Sequence, residues 1–289
     1  MEKGKKTSVT SRTTIYNRYS GARRPAPTKK IKNFDKNRNS HEYRYLLGVS
    51  YEREVKMLRK DLIKKDPSIQ IMGKENLHKG QFGAVLSRAG VGKTQFLVHI
   101  ALSWLLEGEN ILHISLDDPM DKINIRYKEA YFTLIDSIGY VDPQKAVRLW
   151  ENIDICKTGI SYNEATFAPE KIKDYLHSFE KEDLRIPGML VIDGLNFDKV
   201  IDEQLAKNLE KLKKISSDFS ISMWFSMRTH RDEPLSSDGY PKQFEMVQDI
   251  FDKAVFLRPK ENMIEAIVLK DGDKADQKYL LDPATMMAY

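Results

Sequence analysis

The chain has little of several things that mark large protein classes. A single cysteine, Cys156, stands among 289 residues. That excludes an internal disulfide and points to a reducing compartment. Following the strand-like Ile153-Asp154-Ile155, it reads as a small buried core residue rather than a reactive thiol. The first residues are polar, so no secretory signal peptide is expected. The longest apolar stretch, Phe96 to Leu106, is too short to span a bilayer. The expected location is therefore cytoplasmic, with no membrane partner.

Residues 1–45 are nearly devoid of branched aliphatics and of acids. They hold thirteen Lys and Arg against three Asp and Glu, so this segment carries +10 while the rest of the chain carries −5. Such a composition does not bury enough apolar area to offset its ordering entropy. A disordered basic arm is expected over 1–45. Tyr16, Tyr19, Phe34, Tyr43 and Tyr45 are interleaved with its cations, a mixture suited to neutralising phosphates and stacking on bases. A protein contact, an intersubunit arm or a solubility tail fits equally well. After it, residues from about Glu52 to Lys65 read as a charged helix with Val55, Leu58, Leu62 and Ile63 on one face and Pro67 ending it. A linker helix is thus expected within 46–68.

What the chain does have is a phosphate loop. Ser87-Arg88-Ala89-Gly90-Val91-Gly92-Lys93-Thr94 sits between the apolar run Gly83 to Leu86 and a helix that begins Gln95-Phe96-Leu97. A strand feeding a small-residue turn and then a helix leaves backbone N–H groups unpaired and aims them at one point. With the positive end of the helix dipole, that hollow suits a chain of phosphates. Ala89, Gly90, Val91, Gly92, Lys93, Thr94 and Gln95 are the expected nucleotide contacts. Lys93 serves the outer phosphates, and the Thr94 hydroxyl is placed to ligate Mg²⁺. The first position is Ser87 rather than glycine, but the strand-loop-helix context that the motif requires is met. No guanine-reading Asn-Lys-x-Asp is present, which favours ATP over GTP.

From Ile69 onward, strand-like and helix-like segments alternate. Helices are expected at Lys93 to Leu106, Met120 to Ser137, Asp142 to Glu151, Pro169 to Glu182 and Glu203 to Asp218. Strands are expected at Ile111 to Leu116, Ile153 to Cys156, Met189 to Ile192 and Ile221 to Phe225. The pattern predicts a mostly parallel twisted sheet flanked by helices, with ligands at the carboxyl ends of the strands. Three closely spaced final strands, Lys253 to Leu257, Met263 to Leu269 and Lys278 to Leu281, predict a C-terminal antiparallel extension.

Two acidic positions stand at strand ends. Met189-Leu190-Val191-Ile192-Asp193 has the Walker B pattern, an apolar strand presenting a carboxylate that would hold Mg²⁺ beside Thr94. Ser115-Leu116-Asp117-Asp118 closes another strand, and an attacking water needs a base or orienter near the γ-phosphate. Asp118, followed by Pro119 and Asp121, fits helix capping. Asp117 is therefore assigned to catalysis and Asp118 to structure.

These motifs together resemble the RecA-like P-loop ATPases, in particular the branch of DnaB-type replicative helicases and KaiC-like proteins, over roughly residues 70–285. The resemblance implies a RecA-like α/β domain over 69–289 with ATP and Mg²⁺ as cofactors. Ser115-Leu116-Asp117 stands where helicases of this type carry Ser-Leu-Glu, whose Glu activates water. Arg126 falls on a nucleotide-contacting position, and Asn196 on a polar sensor after the Walker B strand. Arg228, Thr229 and His230 resemble the next motif, whose polar tip faces the γ-phosphate. The polar loop after them, to about Gln243, matches a DNA-binding loop in position only. The family's Lys-x-Arg pair, which completes a neighbour's site, is here Lys270-Asp271-Gly272, without the arginine. Asp117 is one methylene shorter than the family's Glu, and a misplacement of about 1 Å can cost on the order of 100-fold in rate. Slow hydrolysis follows, which suits a switch better than a motor.

The expected function is an ATPase that couples nucleotide state to a conformational or assembly change. The alternative is a nucleotide-gated module that binds protein or DNA without significant turnover; a phosphotransferase has weaker support, since no arginine-rich lid is recognisable. Candidate partners are DNA or RNA through the arm, a protein, or a second copy of the chain. If the arm contacts phosphates, deleting residues 1–45 sharply lowers nucleic-acid affinity and flattens its salt dependence in a binding titration. An unchanged salt slope removes that role.

Overall fold

The computed structural model describes residues 40–73, 77–163, 167–197, 203–230, 235–237 and 239–289. Most of the basic arm lies outside them. The first described element is a 26-residue helix, α1 (Ser40–Lys65), which begins upstream of the expected Glu52 and takes in the last residues of the expected arm. Pro67 does more than end it. Asp66 caps a second helix, α2 (Pro67–Met72), by accepting from the Ser68 amide at 2.9 Å, with Pro67 in the first turn. Ile69 to Met72 is therefore helical, where alternating segments had been expected to begin.

The sheet comprises β1 (Phe82–Ser87), β2 (Ile111–Ser115), β3 (Lys157–Ser161), β4 (Met189–Asp193), β5 (Ser222–Arg228), β6 (Lys253–Lys260), β7 (Met263–Lys270) and β8 (Lys278–Leu281), in the spatial order β3-β2-β4-β5-β1-β6-β7-β8. Pairing is parallel from β3 through β6, then antiparallel across β6-β7-β8. Strands β1, β2 and β4 are buried along their whole length, which is why they read as unbroken apolar runs rather than alternating ones.

Helices cover both faces. On one face lie α3 (Lys93–Glu107), α4 (Met120–Ser137) and α5 (Pro143–Asp154), with α1 and α2 outside them. Their core includes Phe96, Leu97, Ile100, Tyr127, Tyr131 and Leu149. On the other face α6 (Pro169–Lys181), α7 (Glu203–Asp218) and the short α8 (Lys242–Glu245) pack through Ile172, Leu176, Leu209, Leu212 and Phe244. Alternation along the strands divides the side chains between these cores, Val85 and Trp224 going to the first and Leu86 and Phe225 to the second. Gly83 sits opposite Trp224 in the register. A Cβ there would meet the indole at 2.5 Å, so glycine is what lets the largest buried side chain lie across β1.

The expected strand at Ile153 to Cys156 is displaced. Asp142 and Pro143 start α5, and Ala146, Leu149 and Ile153 recur on its buried side at helical spacing, so Ile153 belongs to that helix. Ile155 is 84% exposed, and Cys156 is only half-buried against the core. The strand follows at β3, an edge strand with mixed exposure. At the opposite edge the chain after β8 folds back, with Ala288 bridging Leu281.

Two buried polar clusters tie these layers together. Asp66 and His99 are both fully buried, with His99 Nδ1 3.1 Å from the Asp66 carboxylate and the Ser68 hydroxyl donating to it at 2.5 Å. This links α1 and α2 to α3. His113 on β2 meets the Tyr127 hydroxyl of α4 at 2.9 Å. Burial depresses the His113 pKa from 6.5 to about 4, with Asp193 opposing and Lys157 adding to the shift. The unfolded chain takes up this proton near pH 6.5 while the folded imidazole resists it until about 4, so folding stability rises with pH across that window and is lost on acidification. Denaturant titrations between pH 7 and 4 are expected to show this slope. Replacing His113 by Asn should flatten it.

Candidate active site

The site forms where β1, β5, β4 and β2 end side by side. Gly90 and Gly92 have φ of +79° and +116°, the left-handed region that glycine adopts without strain. Gly92 is also the N-cap of α3, so the first amides of that helix face out of the loop. Ser87, the last residue of β1, is fully buried. Its carbonyl accepts from the Thr229 amide at 2.9 Å. Lys93 Nζ donates to the carbonyls of Ser87 and Arg88, both at 3.1 Å. Burial lowers the Lys93 pKa; Asp193 opposes that shift, Arg228 adds to it and Asp117 again opposes.

The Thr94 hydroxyl donates to Asp193 Oδ2 at 2.7 Å. Asp193 is 5% exposed at the end of β4. It stands opposite Ser115 in the β2 register, and its carbonyl accepts from the Leu116 amide at 2.8 Å. The next residue on that edge, Asp117, is exposed and lies against Gly194. Gly194 has φ +97°, and a Cβ on it would sit 2.8 Å from the Asp117 carboxyl. Its amide donates to the Ser226 hydroxyl at 2.8 Å. Strand β5, inserted between β1 and β4, thus props the turn that carries both acids.

A cavity of about 460 Å³ opens over these groups, lined by Ala89, Gly90, Gly92, Lys93, Thr94, Asp117, Asp118, Arg126, Asp193, Gly194, Leu195, Asn196, Ser226 and Arg228. Its size is that of a small-molecule site. A larger groove of about 870 Å³ runs between α1 and the α4-α5 connection, past Val55, Leu58, Tyr140 and Lys145. It has neither a glycine turn nor a helix N-terminus, so the smaller cavity is the better candidate.

Most of the expected residues meet there, including Asn196 and Arg126. Val91 packs on the core instead, and neither it nor Gln95 lines the cavity. Of Arg228, Thr229 and His230, only Arg228 borders it; Thr229 is buried, and His230 is exposed outside it. Asp118 is not a helix cap. Pro119 occupies the N-cap of α4 with no side-chain bond, and the Asp118 carboxylate instead pairs with Lys122 at 2.7 Å and Arg126 at 3.5 Å. Lys270 donates to the Gln248 carbonyl of its own chain at 3.0 Å, and Asp271 pairs with Lys253 at 2.9 Å. The polar loop after His230 lies partly outside the described residues.

The sequence reading missed Gly194 and Ser226. The available signal was the period of a strand, which puts Ser226 on the same face of β5 as Arg228.

The donor set suits a hard cation held mainly by a triphosphate. One hydroxyl and one carboxylate in hydrogen-bond contact, with no cluster of three or more His, Cys, Asp or Glu among the described residues, match the sparse protein ligation of Mg²⁺. Arg126 Nε is buried without a hydrogen-bond partner among the described residues. Lys93, Arg126, Arg228 and the loop amides converge on the same space, a setting for several negative charges.

No family model matches the chain, and no curated protein does. Among solved structures it is similar to the ATPase domain of a helicase, with a TM-score of 0.51 at 15% identity over 71% of this chain and 82% of that one. No described helix is long and apolar enough to cross a membrane. The parallel sheet between two helical layers, its antiparallel C-terminal strands and this likeness give the chain the fold of a RecA-like ATPase domain.

Proposed function

We propose that the chain binds Mg-ATP in the phosphate loop and hydrolyses it slowly, coupling nucleotide state to a conformational or assembly change. The observation that carries this is the Thr94 hydroxyl bonded to Asp193 at the mouth of a glycine turn that caps a helix. In this reading the amides from Gly90 to Thr94 bind the phosphates, and Lys93 leaves the Ser87 and Arg88 carbonyls to pair with the outer ones. Thr94 and Asp193 hold Mg²⁺, which when bound neutralises charge on the phosphate oxygens. Arg126 and Arg228 flank the γ-phosphate, and Asn196 orients polar groups there. Asp117 accepts a proton from, or orients, the attacking water. The likeness to a RecA-like ATPase domain supports this assignment, and the same motifs favour the DnaB/KaiC-like branch. Contact with nucleic acid through the basic arm and assembly with further copies belong to the same proposal.

Lys93→Ala is expected to lose Mg-ATP binding at concentrations that saturate the native chain, measured by equilibrium titration. Asp117→Asn should keep that binding and lower turnover on the order of 100-fold or more. Retention of native affinity by Lys93→Ala would refute the site. Native turnover at the uncatalysed background would leave only the nucleotide-gated binding module.

Ser226 and Gly194 hold Asp117 without touching nucleotide. Ser226→Ala should therefore reduce kcat about tenfold with little change in KM, and the effect should vanish when Asp117 is already Asn. Additive losses in that double-mutant cycle would make Ser226 a general structural residue.

A further inference from the structure

After β8 the chain ties a compact knot around Asp282. Asp282 Oδ1 accepts from the amides of Ala284 and Thr285 at 2.9 and 2.8 Å and from the Thr285 hydroxyl at 2.9 Å, and Oδ2 lies 3.4 Å from the Tyr289 hydroxyl. Backbone bonds close the turn: the Met286 amide donates to the Asp282 carbonyl at 2.7 Å, and the Asp282 amide to the Met287 carbonyl at 2.9 Å. At its apex Met286 has φ +60° and is 1% exposed. A side chain held in that backbone region is strained, and such strain persists only where the surroundings enforce it.

The direction of Met286 shows what the turn achieves. Its Sδ and Cε lie 3.1 and 3.2 Å from where a Cβ on Gly92 would stand. Gly92 immediately precedes Lys93 and caps the helix whose amides face the cavity. The thioether thus fills the space behind the most conformationally free residue of the loop. A methionine that merely filled the core would need neither a positive φ nor the web of bonds around Asp282.

We infer that the Asp282–Tyr289 turn is a strut for the phosphate loop, with Met286 a positioning residue that holds Gly92, and hence the Lys93 and Thr94 amides, in their anion-binding arrangement. This rests on the Mg-ATP reading above. Without the wedge, Gly92 samples conformations that do not bind, and apparent affinity falls by the fraction lost.

The test uses the full chain with Met286→Ala, Met286→Leu and Asp282→Ala. Hydrogen exchange over residues 90–94 without nucleotide reads the strut itself, and Mg-ATP binding with kcat and KM reads its consequence. Met286→Ala and Asp282→Ala should speed exchange at those amides and weaken Mg-ATP binding about tenfold, with kcat within about twofold of native. Met286→Leu, of similar volume, should restore both. Native exchange and native affinity in Met286→Ala, whatever its thermal midpoint, would overturn the strut while leaving the nucleotide site standing. Faster exchange in the variants of a native chain that does not bind Mg-ATP would remove the nucleotide reading and keep the mechanical link.

Discussion

The hydrogen bond from Thr94 to Asp193 joins two parts of the chain that no strand pairing connects. Thr94 belongs to the helix after β1, Asp193 ends β4, and β5 lies between those strands. Meeting at 2.7 Å therefore requires the sheet order, the register of three neighbouring strands and the start of α3 all to be correct. The near-complete burial of Asp193 raises the stakes, because a buried carboxylate without a partner is costly. In the proposed enzyme the same two oxygens turn from each other toward a cation. The bond both fixes the geometry of the edge and reserves it for a metal.

Strand β5 brings a second consequence of that order. Placed between β1 and β4, it sends Ser226 to the Gly194 amide and Arg228 into the cavity beside Ser87. The left-handed turn at Gly194 then brings Asp117 against a position where any side chain would collide with it. A short acid at 117 and a missing side chain at 194 are complementary. The likeness of Asp117 to a longer family residue is thus only part of its chemistry, since its neighbours are matched to the shorter reach.

Much of this was legible in the sequence where local pattern and burial agree. β4 is one apolar run closed by an acid, the phosphate loop carries its glycines and lysine in order, and Glu203 to Asp218 repeats at helical spacing, so each could be placed from residue types alone. Features set by distant packing were not. Ile153 and Ile155 imitate a strand, yet only Ile153 is buried, by helix α5. Asp118 sits beside Pro119 like a capping residue, but α4 offers it Lys122 and Arg126, and the ion pairs win. Gly194, Ser226 and Met286 matter through residues far away in sequence, and nothing nearby in the chain announces them.

The two rims of the sheet are finished differently. At β8 the returning chain bridges Leu281 through Ala288 and blunts that border. At the other rim β3 is a short five-residue strand with only β2 beside it, and its last hydroxyl, Ser161, donates to the carbonyl of Asp118 at 3.3 Å. Whatever adds a strand to this protein would do so most readily along β3. It would arrive within one residue's reach of the acid that grips Arg126, so lengthening the sheet and disturbing the pocket would be a single event.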